Sequence, residues 1–242
     1  MSLAGRLMNV FAAPGEVFEE VRIRPPSVAN WLVPMLIFAV VGTIGAFIMF
    51  SQPAIIQQIH EQQAAAMDKQ VKDGKLTQAQ ADQALQMAEK FSGPTMMKIF
   101  GSVGSVVASA VHVIWWAFIL WLMAALFLKK KVPFQKSIEV AGVATMILVL
   151  GAVVTVLLTV ITAKLGMTLS PALLVSDYDM KNKAHLALAA INVFSLWQIV
   201  VLASGLARLS GAGFVKSLLV LGIYWVVYCA FCILVGFGSL AL

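Results

Sequence analysis

Apolar residues along this chain collect in five long runs, Trp31–Phe50, Val103–Leu128, Ser137–Ala163, Ala184–Leu206 and Phe214–Leu242. Each run exceeds the roughly 18 residues that mark a candidate membrane-spanning helix. A lipid interior offers the backbone no hydrogen-bond partners, so a spanning segment satisfies its own N–H and C=O groups by coiling into a helix. The pattern predicts an all-α, polytopic membrane protein. Its bundle of five transmembrane helices is expected over 31–50, 103–128, 137–163, 184–206 and 214–241, within a membrane domain of 31–242.

The segments between the runs carry their own periodicity. Within 1–30, Leu3, Leu7, Met8 and Phe11 recur at helical spacing, with Arg6 and Asn9 opposite. Pro14-Gly15-Glu16 then places a proline and an acid where a helix begins. Val17, Phe18 and Val21 give this second helix an apolar face, and Pro25-Pro26 end it. Two short amphipathic helices ahead of a span either lie in the membrane interface or pack on the inner ends of the bundle. Both readings stand at this point. The segment 52–98 reads as a helical hairpin outside the membrane: Asp73-Gly74-Lys75 supplies the turn, and Thr77 with Gln80 forms a capping box.

Composition fits one membrane domain rather than soluble ones, with 61% hydrophobic and 12% charged residues. Globular chains carry about 25% charged residues. A net charge of +6 invites a nucleic-acid reading, but the densest basic cluster, Lys129-Lys130-Lys131, directly follows an apolar run. A cluster there sets topology or meets lipid headgroups, so no nucleic-acid partner is expected. The short connections between spans favour a cytoplasmic N-terminus and an extracytoplasmic C-terminus, because Lys129, Lys130, Lys131 and Lys136 crowd one of them. These four are the candidates for anionic-lipid or protein-partner contact. The hairpin then lies on the extracytoplasmic side. No cleavable leader is expected, since Leu7–Ala13 is short and runs into Pro14 and acidic residues.

Ionisable groups within spans default to functional hypotheses, and here they are few. Glu139 sits near the start of the third span, beside Lys136, in a structural setting. His112 lies well inside the second span, while Asn192, Ser195 and Gln198 recur every three residues on one side of the fourth. An intramembrane cluster of His112 with Asn192 or Gln198 is one reading; pairwise polar contacts between helices are the other. Cys229 and Cys232 form a C-x-x-C pair, but the strand-to-helix context of a redox site is missing, so they read as small apolar packing residues. The motifs of zinc proteases, serine hydrolases and phosphate-binding loops do not occur. No catalysis, cofactor or metal is therefore expected.

Three stretches in order resemble the Ypt-interacting protein (Yip) domain family. They are Pro14-Gly-Glu-Val-Phe-Glu-Glu-Val21 with Pro25-Pro26 and Trp31-Leu-Val-Pro34; Val132-Pro-Phe-Gln-Lys136-Ser leading to Val140-Ala-Gly142; and Leu196-Trp-Gln-Ile-Val with Gly205-Leu206 and the turn Ser210–Lys216. The resemblance implies a five-helix membrane domain with a cytoplasmic N-terminus. Eukaryotic members act in early secretory traffic with small GTPases and shape membranes. Their D-L-Y-G-P stretch does not occur here, and the short N-terminal region looks like that of prokaryotic members, which implies a bacterial cytoplasmic membrane. The expected role is membrane organisation, adaptor work or lipid and protein interaction, with a membrane-protein partner or a second copy of the chain as possible company. The alternative is a small transporter or channel subunit with a polar site around His112.

Overall fold

The computed structural model describes residues 1–91, 93–165, 167–176, 178–179 and 182–236, and among these every regular element is helical. Helix α1 (Leu3–Asn9) and α2 (Pro14–Ile23) precede α3 (Ala29–Met49). The hairpin follows as α4 (Pro53–Lys72) and α5 (Gln78–Phe91), then α6 (Pro94–Leu126) and α7 (Phe134–Thr162). A 3₁₀ turn over Pro171–Leu174 and the short α8 (Lys183–Ala190) lead to α9 (Val193–Ser210) and α10 (Phe214–Val235). Helices α3, α6, α7, α9 and α10 are long and apolar enough to cross a membrane. Positions 237–241 of the expected last span lie outside the described residues.

Helix α7 is the hub, packed against α3, α6 and α9, while α10 rests on α9. In lipid, where tails are as apolar as leucine, such packing depends on close fit rather than on the hydrophobic effect. Two glycines set that fit. A Cβ on Gly142 of α7 would collide with the Trp31 backbone on α3. One on Gly205 of α9 would collide with Val140 of α7. The core they surround includes Val113, Leu120, Ile147, Leu202 and Leu206, all fully buried.

Helix boundaries follow local chemistry. Pro94 occupies the first turn of α6, where its missing N–H costs nothing, and so α6 runs 33 residues, starting nine before the expected span. At about 1.5 Å per residue that is roughly 50 Å, well beyond a hydrocarbon core of about 30 Å. The hairpin closes as its sequence predicts: Gln80 Oε1 accepts from the Thr77 amide at 2.9 Å, and Thr77 Oγ1 accepts from the Gln80 amide at 3.3 Å. Gln58 ties α4 to the end of α7, donating to the Ala163 carbonyl and accepting from the Leu165 amide at 3.3 Å.

The expected fourth span, 184–206, is not one helix. The chain breaks at Ile191, and Asn192 caps a new helix by accepting from the Phe194 amide at 2.8 Å. Residues 183–190 form the separate α8, against α10 and the 3₁₀ turn, and the spanning helix is α9 alone. At the N-terminus, α2 packs on α9 and α7 with Val17, Phe18 and Val21 fully buried, so bundle packing accounts for its apolar face.

Candidate functional site

The N-terminal ends of α3 and α7 meet the C-terminal end of α2 around a buried charge. The last carbonyls of a helix need partners from outside it. In α2 the Val21 carbonyl would ordinarily receive the amide of the residue four positions on, but that residue is Pro25, which has none. Lys136 of α7 supplies the missing donor: its Nζ lies 2.7 Å from the Val21 oxygen and 2.8 Å from the Arg24 oxygen. A cation at a helix C-terminus is also favoured by the helix dipole. Glu139, one turn along α7, balances the ammonium at 3.0 Å and accepts from the Asn30 side-chain amide of α3. Glu139 and Asn30 are each 1% exposed.

This junction corrects one expectation. Sequence position groups Lys136 with Lys129, Lys130 and Lys131 as a lipid or partner contact, yet it is only 8% exposed. The two prolines after α2 draw it inward as a cap. Asn30 was missed, because it stands one position before the apolar run and reads as a flank. Its signal is that an amide so close to a span needs a partner inside the protein.

Lys129, Lys130 and Lys131 themselves are exposed. Lys129 takes a left-handed conformation at φ 53°, and the Lys130 amide returns to the Ala124 carbonyl at 2.9 Å. This bond reaches six residues back to an end carbonyl of α6, satisfies it from outside the helix and turns the chain there. Buried Leu128 and Val132 pin the loop on either side. The three lysines, with Trp121, Ala125 and Val132, line a recess of about 580 Å³. At the same end of the bundle, Glu19 of α2 pairs with Arg22 and lies 3.9 Å from Arg208 of α9. Its carboxyl is held below the usual range, chiefly by the Arg22 hydrogen bond. Glu20 pairs with Arg24 and the N-terminal amine and is lowered likewise, the amine's hydrogen bond leading.

In mid-bundle, His112 and Gln198 come together, with His112 Nε2 2.8 Å from Gln198 Nε2. The amide donates, so the imidazole nitrogen accepts and is unprotonated there. Phe38 and Trp116 meet the imidazole edge-on at 6.0 and 6.5 Å. Asn192 stands apart from this pair at the N-cap of α9, nearly two turns before Gln198, where its side-chain oxygen accepts from the Phe194 amide. Ser195 lines a neighbouring cleft instead. Cys229 and Cys232 are free and buried beside Ala190. Among the described residues, no group of three or more His, Cys, Asp or Glu is placed to hold a metal ion.

Five apolar helices around a common core, with a charged junction at one end, define a polytopic integral membrane protein. Compared with known families, residues 8–236 match the Yip1 domain, which is nearly the whole chain. The protein belongs to the Yip1 domain family. Comparison with curated proteins and with solved structures finds no match.

Proposed function

We propose that this Yip-type membrane protein is a non-catalytic organiser or adaptor whose basic end engages the anionic face of the cytoplasmic membrane leaflet. The observation that carries this reading is the loop Lys129–Lys131, exposed and rigidly turned out by the cap on α6. Arg22, Arg24 and Arg208 stand at the same end, which also holds the N-terminus. Basic residues concentrate on the cytoplasmic side of membrane proteins, so this end is assigned to the cytoplasm and the hairpin to the opposite side. A protein partner with an acidic surface, or a second copy of the chain, would meet the same lysines.

Each lysine near an anionic surface contributes about 1 kcal/mol. Replacing all three with Gln is expected to lower enrichment of phosphatidylglycerol around the protein in mixed nanodiscs by roughly a hundredfold at most, since 1.4 kcal/mol is a factor of ten. Unchanged enrichment together with unchanged topology, read by cysteine accessibility, would overturn the reading.

The transporter or channel alternative draws on the His112–Gln198 pair, a polar contact deep among apolar helices. Ion or solute flux in proteoliposomes separates the two. Flux that His112→Leu abolishes would favour transport; absence of flux in the wild type leaves the pair as a link between α6 and α9.

A further inference from the structure

We propose that the cleft between α3, α6, α7 and α9 holds one acyl tail of a phospholipid from the hairpin-side leaflet. The cleft measures about 500 Å³, and Phe38, Gly42 and Met49 of α3, Ala152 of α7, and Asn192 and Ser195 of α9's N-terminal end are among its walls. That size lies within the roughly 300–1,000 Å³ of ordinary ligand sites, which are mainly apolar with a few polar groups.

Three observations fix the occupant. First, no charged residue lines the cleft, so its contents are uncharged. Second, the walls run from Phe38 to Phe50 along α3. Twelve residues at about 1.5 Å each give a depth of roughly 18 Å, close to half of a hydrocarbon core of about 30 Å. The cleft is therefore one leaflet deep. Third, its deepest end is apolar. Thr168 and Asn192 stand at the hairpin-side end, where a lipid's ester region would lie, the hydroxyls of Ser105, Thr155 and Ser195 lie along the walls, and Phe38 and Leu148 lie at the mid-bundle end. An apolar cavity does not retain water, and leaving it empty forfeits the dispersion contacts of its walls. In a bilayer the material at hand to restore them is an acyl chain.

Glycine shapes the space. A Cβ on Gly42 would strike Ser105 of α6, and one on Gly45 would strike Val156 of α7. The helices thus touch through their glycines along the wall of the cleft, so α3, α6 and α7 meet closely there. Phe50 lines both this cleft and a recess that holds Lys98, His60 and Glu61, the last bound by the Gln57 amide, where the headgroup of the same lipid would rest with its phosphate toward Lys98. This site is at the opposite end from the lysine loop and does not depend on it.

The test reconstitutes the purified full chain in phosphatidylcholine–phosphatidylglycerol vesicles doped with phospholipid carrying a diazirine in its acyl chain. After illumination, labelled peptides are mapped by mass spectrometry. Labelling is expected at the cleft faces of α7 and α9, and Ala152→Phe should lower it at least fivefold while labelling at the exposed Ile223, Val226 and Val227 of α10 stays constant. A diazirine at the chain's end should mark the neighbourhood of Leu148, and one near the ester that of Asn192. If Ala152→Phe fails to fold, Ser195→Leu fills the cleft from α9 and carries the same comparison. Cleft labelling no greater than at α10, insensitivity to both variants, or a reversed order of depth would each overturn the proposal.

Discussion

Lys136 performs two tasks at once, capping α2 and balancing Glu139, and the two can be separated by substitution. Lys136→Met removes the cation and leaves a buried carboxylate unpaired, which costs about 3–5 kcal/mol. A melting curve in detergent should show that loss. The double variant Lys136→Met with Glu139→Leu removes both charges and should recover part of it; a double variant as unstable as the single one would show that the pair is not coupled. Close approach supplies a second residue-scale expectation. Gly142→Ala forces α7 away from the Trp31 backbone, and overpacking of this kind costs about 1–3 kcal/mol, readable in the same melt. Gly104, whose added Cβ would meet open space, serves as the control and should tolerate alanine.

At the scale of elements, helix ends are where stability is most easily adjusted. Ala163 closes α7 in the left-handed region at φ 50°. A residue with a Cβ pays roughly 1–2 kcal/mol there, so Ala163→Gly should raise stability by about 1 kcal/mol. Helix α2 is held partly by Glu19 and Glu20, both with lowered carboxyl values. For a lowered group the stabilisation is present above the ordinary value of 4.5 and disappears as pH falls through the lower folded value. Amide protection factors in α2, corrected for the intrinsic pH dependence of exchange, should therefore fall below about pH 4 while those in α7 hold, and a uniform fall would refute the link. Glu19 lies near solvent, and the ion-pair partners of Glu20, the N-terminal amine and Arg24, belong to the same arm, so the effect belongs to local opening rather than to the whole fold.

For the whole molecule, the spans were legible because a membrane imposes a length and an apolar content that soluble packing does not. The turn at Gly74 and the Thr77–Gln80 cap were legible too, being local chemistry. What escaped was set by distant contacts. The break before α9 has neither proline nor glycine, and Asn192, which makes it, reads equally well as a polar residue inside a continuous helix. Lys136 looked like its three lysine neighbours, because only the arrival of a helix end over a hundred residues away in sequence distinguishes it. The half of the polar cluster that did form, His112 with Gln198, follows from depth along two helices, a quantity that sequence supplies to within a turn. That same long reach has a bearing on biogenesis. The cap joins Lys136 to Val21 across 115 positions, so the N-terminal arm emerges well before the residue that caps it, and earlier still relative to α9, on which α2 also packs. At about 5–20 residues per second of synthesis, the arm waits on the order of ten seconds for the third span. Through that interval its apolar side is available to an insertion factor or to the bilayer surface.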